Sequence, residues 1–336
     1  MMTRRCATTR NYAQRLRAFL AAFIAICFGV NGASLMHAAP ASPAGSLLVG
    51  YIPCYQGGNF ASYAGKLDFT KMTHVNLAFG NPPKCDGVCT AKSNMTFGIK
   101  GESDADIDSF VTAAHAAGAK VLISVGGGGG DQLILQFYNA GLSNALVASL
   151  DKFVTTHKLD GVDVDIEDPS NMGAPFAGFV STVVNKFRPR GLLITAAVAK
   201  YMQDSMPDSA LHQFDFINVM NYASYAGALT QLEFYSVQKN VPKNQIVLGV
   251  PFFGSNTSDT KEEDYATILA AYPNAWKVDM AGGGTLDDGE AFNYVGEDTM
   301  AKETLLGKQY GGIMIWQLLS DAPAPHSLLK VIQKNF

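Results

Sequence analysis

Residues 159–168 read Leu-Asp-Gly-Val-Asp-Val-Asp-Ile-Glu-Asp, so Asp160, Asp163, Asp165 and Glu167 place four carboxyl groups within eight residues. Val162, Val164 and Ile166 alternate with the last three acids, and a period of two is the pattern of a β-strand. Alternate side chains of a strand share a face at a spacing of about 6–7 Å. Asp163, Asp165 and Glu167 are therefore expected to point together into one confined space. Like charges that close cannot all ionise freely, which keeps at least one carboxyl protonated to unusually high pH. A protonated acid among ionised neighbours is equipped for general acid catalysis. A solvent-facing acidic strand is the plain alternative, but the intervening β-branched residues suit a strand covered on both faces, as in a parallel sheet. An EF-hand loop fails, because Asp168 occupies its glycine position and apolar residues fill the gaps.

Outward from this strand, short apolar runs recur at 47–52, 72–79, 120–125, 192–199, 214–221, 245–252 and 311–317. Helical patterns lie between them, among them 104–117 ending at Gly118, 143–157 after a Ser143 cap, and 175–187. Eight strands alternating with helices predict an α/β fold of the (β/α)8 TIM-barrel type in a single domain. A doubly wound sheet is the next choice. It is disfavoured by the eight repeats and by the glycine run 126–130, which has Asp131 where a dinucleotide loop needs its last glycine. In a barrel the chemistry gathers at the C-terminal ends of the strands. Those ends carry Tyr51, Asn81, Gly126–Gly130, Glu167, Tyr222 and Trp316-Gln317. The stretch 254–310 is longer than a usual β/α connection and predicts a decorated loop.

Residues 1–40 form a separate text. Arg4, Arg5, Arg10, Arg15 and Arg17 precede an apolar run from Ala18 to Val30 and a small-residue stretch at Ala38–Ala41, the plan of a secretory signal peptide with a run too short to span a membrane. Cleavage there leaves a catalytic barrel at 41–336 and a secreted product, extracellular or periplasmic. Five of the 25 basic residues leave with the leader and none of the 29 acidic ones, so the remaining chain has net charge −9. Nucleic acid and anionic membrane surfaces are excluded as partners by that balance, whereas a neutral polysaccharide fits. Cys85 and Cys89 are close enough to bridge within one loop, but Cys54 is an equally available partner for either, and sequence leaves the pairing open. Scattered histidines and the absence of a second cysteine pair argue against zinc. No metal and no other cofactor is expected, and a monomer is.

These residues resemble the family 18 glycoside hydrolases, the chitinases and their relatives. Asp160, Asp163, Asp165 and Glu167 match the family's DxxDxDxE motif on the fourth barrel strand, and Ser124-Val125-Gly126-Gly127 matches its SxGG on the third. Met220-Asn221-Tyr222 matches the MxY of the sixth strand, and Gly311–Gln317 with Trp316 matches the eighth. The resemblance runs from about Leu47 to the C-terminus. It implies retaining hydrolysis of β-linked N-acetylglucosamine with the substrate's acetamido oxygen as nucleophile, an exception to the two-carboxylate scheme. Glu167 is then the acid and later the base, Asp165 the acceptor of the acetamido N–H, Asp163 its deeper partner, Tyr222 the donor to the acetamido carbonyl, and Trp316 the floor under the sugar. Further candidate sugar contacts are Tyr51, Gly126, Gly127, Met220, Asn221 and Gln317, with Ser124 and Asp160 structural.

Two departures qualify the resemblance. Many chitinases carry aspartate directly after the MxY tyrosine, where this chain has Ala223. The large α+β insertion of processive chitinases is missing between 254 and 310, and beyond the leader the tryptophans are Trp276 and Trp316. Tyr201, Tyr225 and Phe253 are left as weaker sugar platforms, which predicts a shallow cleft and endo-type, non-processive cutting of chitin or related oligosaccharides. An endo-β-N-acetylglucosaminidase acting on N-glycan cores and a non-catalytic sugar-binding relative are the competing readings. Asn94 and Asn256 head glycosylation sequons, meaningful only in a eukaryotic secretory pathway.

Overall fold

Eight parallel strands close into a barrel: β1 (Leu47–Pro53), β2 (His74–Asn81), β3 (Lys120–Gly126), β4 (Gly161–Asp165), β5 (Leu193–Ala199), β6 (Phe216–Met220), β7 (Ile246–Pro251) and β8 (Gly312–Trp316). The computed structural model describes residues 47–336 except 91, 169, 171, 283–285 and 287–289. The leader, Pro169 and most of the 282–290 stretch therefore lie outside the described residues. Each strand pairs with its sequence neighbours, and β1 pairs with both β2 and β8, so no barrel edge is left unpaired. The short strand Gly98–Ile99 adds to the upper end of β2 in antiparallel fashion.

The period of two decides what lies inside. On β1, Leu47, Val49 and Tyr51 pack in the barrel interior with Ala78, Phe216, Val247 and Met314. Leu48 and Ile52, of opposite parity, join the layer between strands and helices. On β4 the same rule sends Val162, Val164 and Ile166 outward into that layer, each at most 1% exposed. Burying each contributes about 1.5–3 kcal/mol relative to exposure, and this commits Asp163 and Asp165 to the interior. A register slip of one residue would exchange the two sets, so apolar burial specifies where the acids point. The expected strand end at residue 167 is shorter in fact: pairing stops at Asp165, and Glu167 stands just above the rim.

The helices follow the sequence closely. Asp104–Ala116 starts at Ser103, whose Oγ accepts the Asp106 N–H at 3.2 Å. It ends at Gly118, whose φ of +84° serves the C-terminal turn. Ser143 is the first residue of the helix Ser143–Thr156 and makes no capping bond, so the expected cap is displaced by one position. The helices Phe60–Ala64 and Asp131–Asn139 were not anticipated. The stretch after β7 is more ordered than a loop: Phe253–Asn256, Glu262–Asp264, Met280–Ala281 and Phe292–Asn293 form a four-stranded antiparallel sheet, joined by the helix Tyr265–Ala271. Its Asn256 is buried, with Nδ2 sharing its two N–H groups among Ser258 Oγ, Thr260 Oγ1 and Glu290 Oε2, each 2.9 Å away. That sequon is therefore closed to a glycan, whereas Asn94 is exposed. Cys85 and Cys89 form a disulfide and Cys54 is free, which resolves the pairing left open by the sequence.

Candidate active site

A cleft of about 660 Å³ opens over the C-terminal ends of the strands, within the usual size of a small-molecule site. Asp165, Glu167, Tyr222 and Trp316 all line it. Trp316 forms its aromatic floor, stacked on Phe79 with ring centroids 5.6 Å apart and planes 20° apart. Tyr51 meets the same indole edge-on at 5.6 Å. The exposed rings of Tyr55 and Tyr201, at 62% and 58%, stand on its walls.

Asp163 lies beneath this floor and is wholly buried. Its Oδ2 accepts Tyr51 Oη and Ser124 Oγ, both at 2.7 Å. Its Oδ1 accepts Thr195 Oγ1 at 2.5 Å and Asn218 Nδ2 at 3.3 Å. The register explains the gathering, since Ser124, Asp163 and Thr195 are direct neighbours across β3, β4 and β5. Burial holds the Asp163 carboxyl above its ordinary range, and the hydrogen bonds from Thr195, Tyr51, Ser124 and Asn218 offset only part of that rise. A carboxylate that accepts several donors is stabilised in its ionised form.

Asp165 is in the opposite situation. It is 3% exposed, and its Oδ1 has no hydrogen-bond partner among the described residues. Burial, then the charges of Glu167, Asp163 and Asp131, hold its carboxyl well above the ordinary range. We assign the charge of the Asp163–Asp165 pair to Asp163 and the proton to Asp165, because among the described residues the donors are aimed at Asp163. Glu167, on the rim, is also pushed up, first by desolvation and further by Asp131, while a hydrogen bond from Tyr201 acts the other way. Burial, followed by the Asp165 and Glu167 charges, holds the Tyr222 hydroxyl well above the ordinary phenol range. The Tyr222 side chain is half-buried where it lines the cleft. Among the described residues, Tyr222 Oη has only the Met314 sulfur at 4.0 Å.

The other anticipated residues divide. Met220 lines the cleft, as do the platforms Tyr201 and Phe253. Tyr51 reaches the cleft but spends its hydroxyl on Asp163. Asn221 is turned away from the cleft: its amide donates to Ser224 O and Glu303 Oε1 and accepts from Gln231. Gln317 is also turned aside, capping the turn at Leu319 and Ser320. Gly126 and Gly127 act as spacers rather than sugar contacts. A Cβ on Gly126 would sit 2.2 Å from the Asp165 carbonyl oxygen, and one on Gly127 would strike the Phe79 ring at 2.5 Å; Gly128 is the member of the run that lines the cleft. Tyr225 and Trp276 do not line it; Trp276 stacks on His326 at 4.6 Å. Asp160 lies at the opposite end of β4, accepting Val121 N and bonding His115 Nε2 at 2.8 Å each.

Several site residues escaped the sequence. Phe79, Lys200, Gln231 and Glu262 line the cleft, and nothing local in the chain marks them. Thr195 and Asn218 were legible in principle, as single polar residues of inward parity within otherwise apolar strands.

Comparison with known proteins accords with this geometry. A structure of a family 18 chitinase from the chitin utilization locus of Flavobacterium johnsoniae superposes with a TM-score of 0.73 at 28% identity, covering 87% of this chain and 94% of that one. A chitinase from Bacteroides thetaiotaomicron shares the fold with a TM-score of 0.72 at 24% identity, covering 87% and 96%. A chitinase-like effector of Moniliophthora roreri is 24% identical over 315 residues, 80% of this chain and 74% of that protein. Another, from Moniliophthora perniciosa, is 35% identical over 123 residues, 36% of this chain, and the match spans 26% of that protein's length. The family description "Glycosyl hydrolases family 18" matches residues 48–321. On that match, and on the barrel that carries it, the chain belongs to glycosyl hydrolase family 18.

Proposed function

We propose that this protein is an exported chitinase that cleaves β-1,4-linked N-acetylglucosamine chains with retention, using the substrate's own acetamido group as nucleophile. The observation that carries this reading is a pair of unfilled polar groups beside one aromatic floor. Among the described residues, Asp165 Oδ1 has no donor and Tyr222 Oη no oxygen or nitrogen acceptor, and both residues line the cleft with Trp316. An acetamido group supplies both, its N–H to Asp165 and its carbonyl oxygen to Tyr222.

The reaction then proceeds in two halves. Glu167 gives its proton to the glycosidic oxygen as the acetamido oxygen attacks C1 and the C1–O bond breaks. As positive charge develops, the proton of the Asp163–Asp165 pair passes to Asp163, and Asp165, now ionised, stabilises the oxazolinium cation through the N–H. Glu167, now ionised, takes a proton from water as that water attacks C1 and restores the acetamide. Asp165 is poorly suited to be the attacking carboxylate of the two-carboxylate retaining scheme, because it is buried and holds its proton in the resting state. Endo-type, non-processive cutting is part of this reading, supported by a cleft in which Trp316 is the one tryptophan among the described lining residues. Export rests on the arginine-led apolar leader.

Incubation with chitotetraose to chitohexaose, beside a high-mannose glycopeptide, tests the substrate by mass spectrometry. Release of chitobiose and chitotriose is expected. Cleavage of the glycopeptide alone would assign an endo-β-N-acetylglucosaminidase, and binding without cleavage would assign a sugar-binding protein.

A further inference from the structure

Glu167 is held by a neighbour that no motif announces. Tyr201 Oη donates to Glu167 Oε2 at 2.6 Å. The tyrosine occupies the single 3-10 turn Lys200–Met202 that follows β5. That turn is anchored from below: Met202 is fully buried, its sulfur accepts the Ala199 N–H at 3.2 Å, and Tyr235 Oη donates to the Ala199 carbonyl at 3.2 Å. With Met202 drawn into the core, Tyr201 is turned to the cleft and remains 58% exposed. The other carboxyl oxygen, Glu167 Oε1, faces Gly128, where an added side chain would begin 3.7 Å away.

Apart from Lys200 on the cleft wall, the surroundings of Glu167 are acidic or neutral. Asp165 and, deeper, Asp163 approach from β4, and Asp131 from the start of the helix Asp131–Asn139. Tyr222 follows β6 and Tyr55 follows β1, while Lys200 and Glu262 stand on the cleft wall. Ala223 brings no donor. Among the described residues, Tyr201 is the side chain seen donating to this carboxyl.

We propose that Tyr201 is a positioning residue for the acid/base, fixing Oε2 so that Oε1 carries the proton to and from the reacting oxygens. The assignment rests on the reading of Glu167 given above. A hydrogen bond donated to a carboxylate favours its ionised form, so Tyr201 offsets part of the desolvation of Glu167 and supports the second, base-catalysed half of the reaction. It does so with a neutral group and therefore adds no charge to an already acidic cleft.

Tyr201→Phe removes the donor and keeps the ring. Because the side chain is exposed, the variant is expected to melt with the wild type. The Glu167 carboxyl, followed by carbon-13 NMR and assigned by its loss in Glu167→Gln, is expected to titrate about one pH unit higher in the variant. The alkaline limb of kcat should move up with it, kcat below that limb should fall several-fold, and KM should change little. A Glu167 titration and a pH–rate profile that both match the wild type would overturn the assignment. Its failure is distinct from failure of the catalytic reading. A wild-type chain that turns over no chitooligosaccharide sinks that reading alone, whereas an active wild type with an unmoved variant sinks the role of Tyr201 alone.

Discussion

Glu167→Gln is expected to lower chitooligosaccharide turnover by about 10²–10⁴-fold, the usual contribution of a positioned acid/base. Substrate affinity should be retained within a few-fold. The amide keeps the volume of the side chain and can still face Tyr201, but it has no proton of suitable acidity to give the leaving oxygen. Nor can it take one from water. Since Glu167 stands above the paired end of β4 rather than within the barrel, its replacement leaves the interior layer of Tyr51, Ser124, Asp163, Thr195 and Asn218 intact. Isothermal titration with chitotetraose, beside a turnover assay, separates the two effects. A variant that keeps more than a tenth of wild-type turnover would show that another group carries the proton.

Asp165→Asn should separate activity from stability in opposite directions. Turnover is expected to fall by about 10²–10³-fold, as when one preorganised electrostatic contact to a developing charge is removed. The melting temperature at pH 7 should rise by several degrees. The folded Asp165 carboxyl is held well above its ordinary value, chiefly by burial. Its contribution to stability is therefore fully present below the unfolded-state value of about 3.9 and is lost as pH rises through the folded-state value. Asparagine is uncharged throughout and escapes that loss. The advantage of the variant should accordingly vanish near pH 4 and grow as the pH is raised, which thermal melts at a series of pH values measure. An advantage that is constant with pH would mean that it does not arise from the Asp165 charge.

The fold was legible because its decisive strand is written in a period of two. Val162, Val164 and Ile166 can be buried only against the helices, and that single constraint turns Asp163 and Asp165 inward. The eight apolar runs then supply the remaining staves, with boundaries shifted by at most two residues where polar strand ends are paired or left unpaired, as at Asn81 and Glu167. The site was legible only where a motif concentrated unusual residue types. Tyr201 shows the limit. It was marked as an aromatic platform, yet its bond to Glu167 depends on the turn direction set by the buried Met202, which no local pattern encodes. Asn221 and Gln317 show the converse, since residues inside a motif can serve the scaffold. Both are buried and bonded away from the cleft. Glu303, which faces Asn221, is pushed up to about 8 by burial, so this contact is made to a largely protonated acid at neutral pH.

The central claim is that the acetamido group of the substrate, and neither an enzyme carboxylate nor a directly attacking water, displaces the leaving sugar. Retention is its first consequence, and the anomeric proton of the newly formed reducing end reports it within the first minutes of hydrolysis. Proton NMR of chitotetraose digested by the wild-type protein should show the β-anomer first, with the α-anomer growing in only by mutarotation. A parallel digest of an oligomer bearing glucosamine in place of N-acetylglucosamine at the cleaved residue should show no cleavage. Initial release of the α-anomer, or equal cleavage of the deacetylated bond, would contradict the mechanism derived from Glu167, Asp165 and Tyr222.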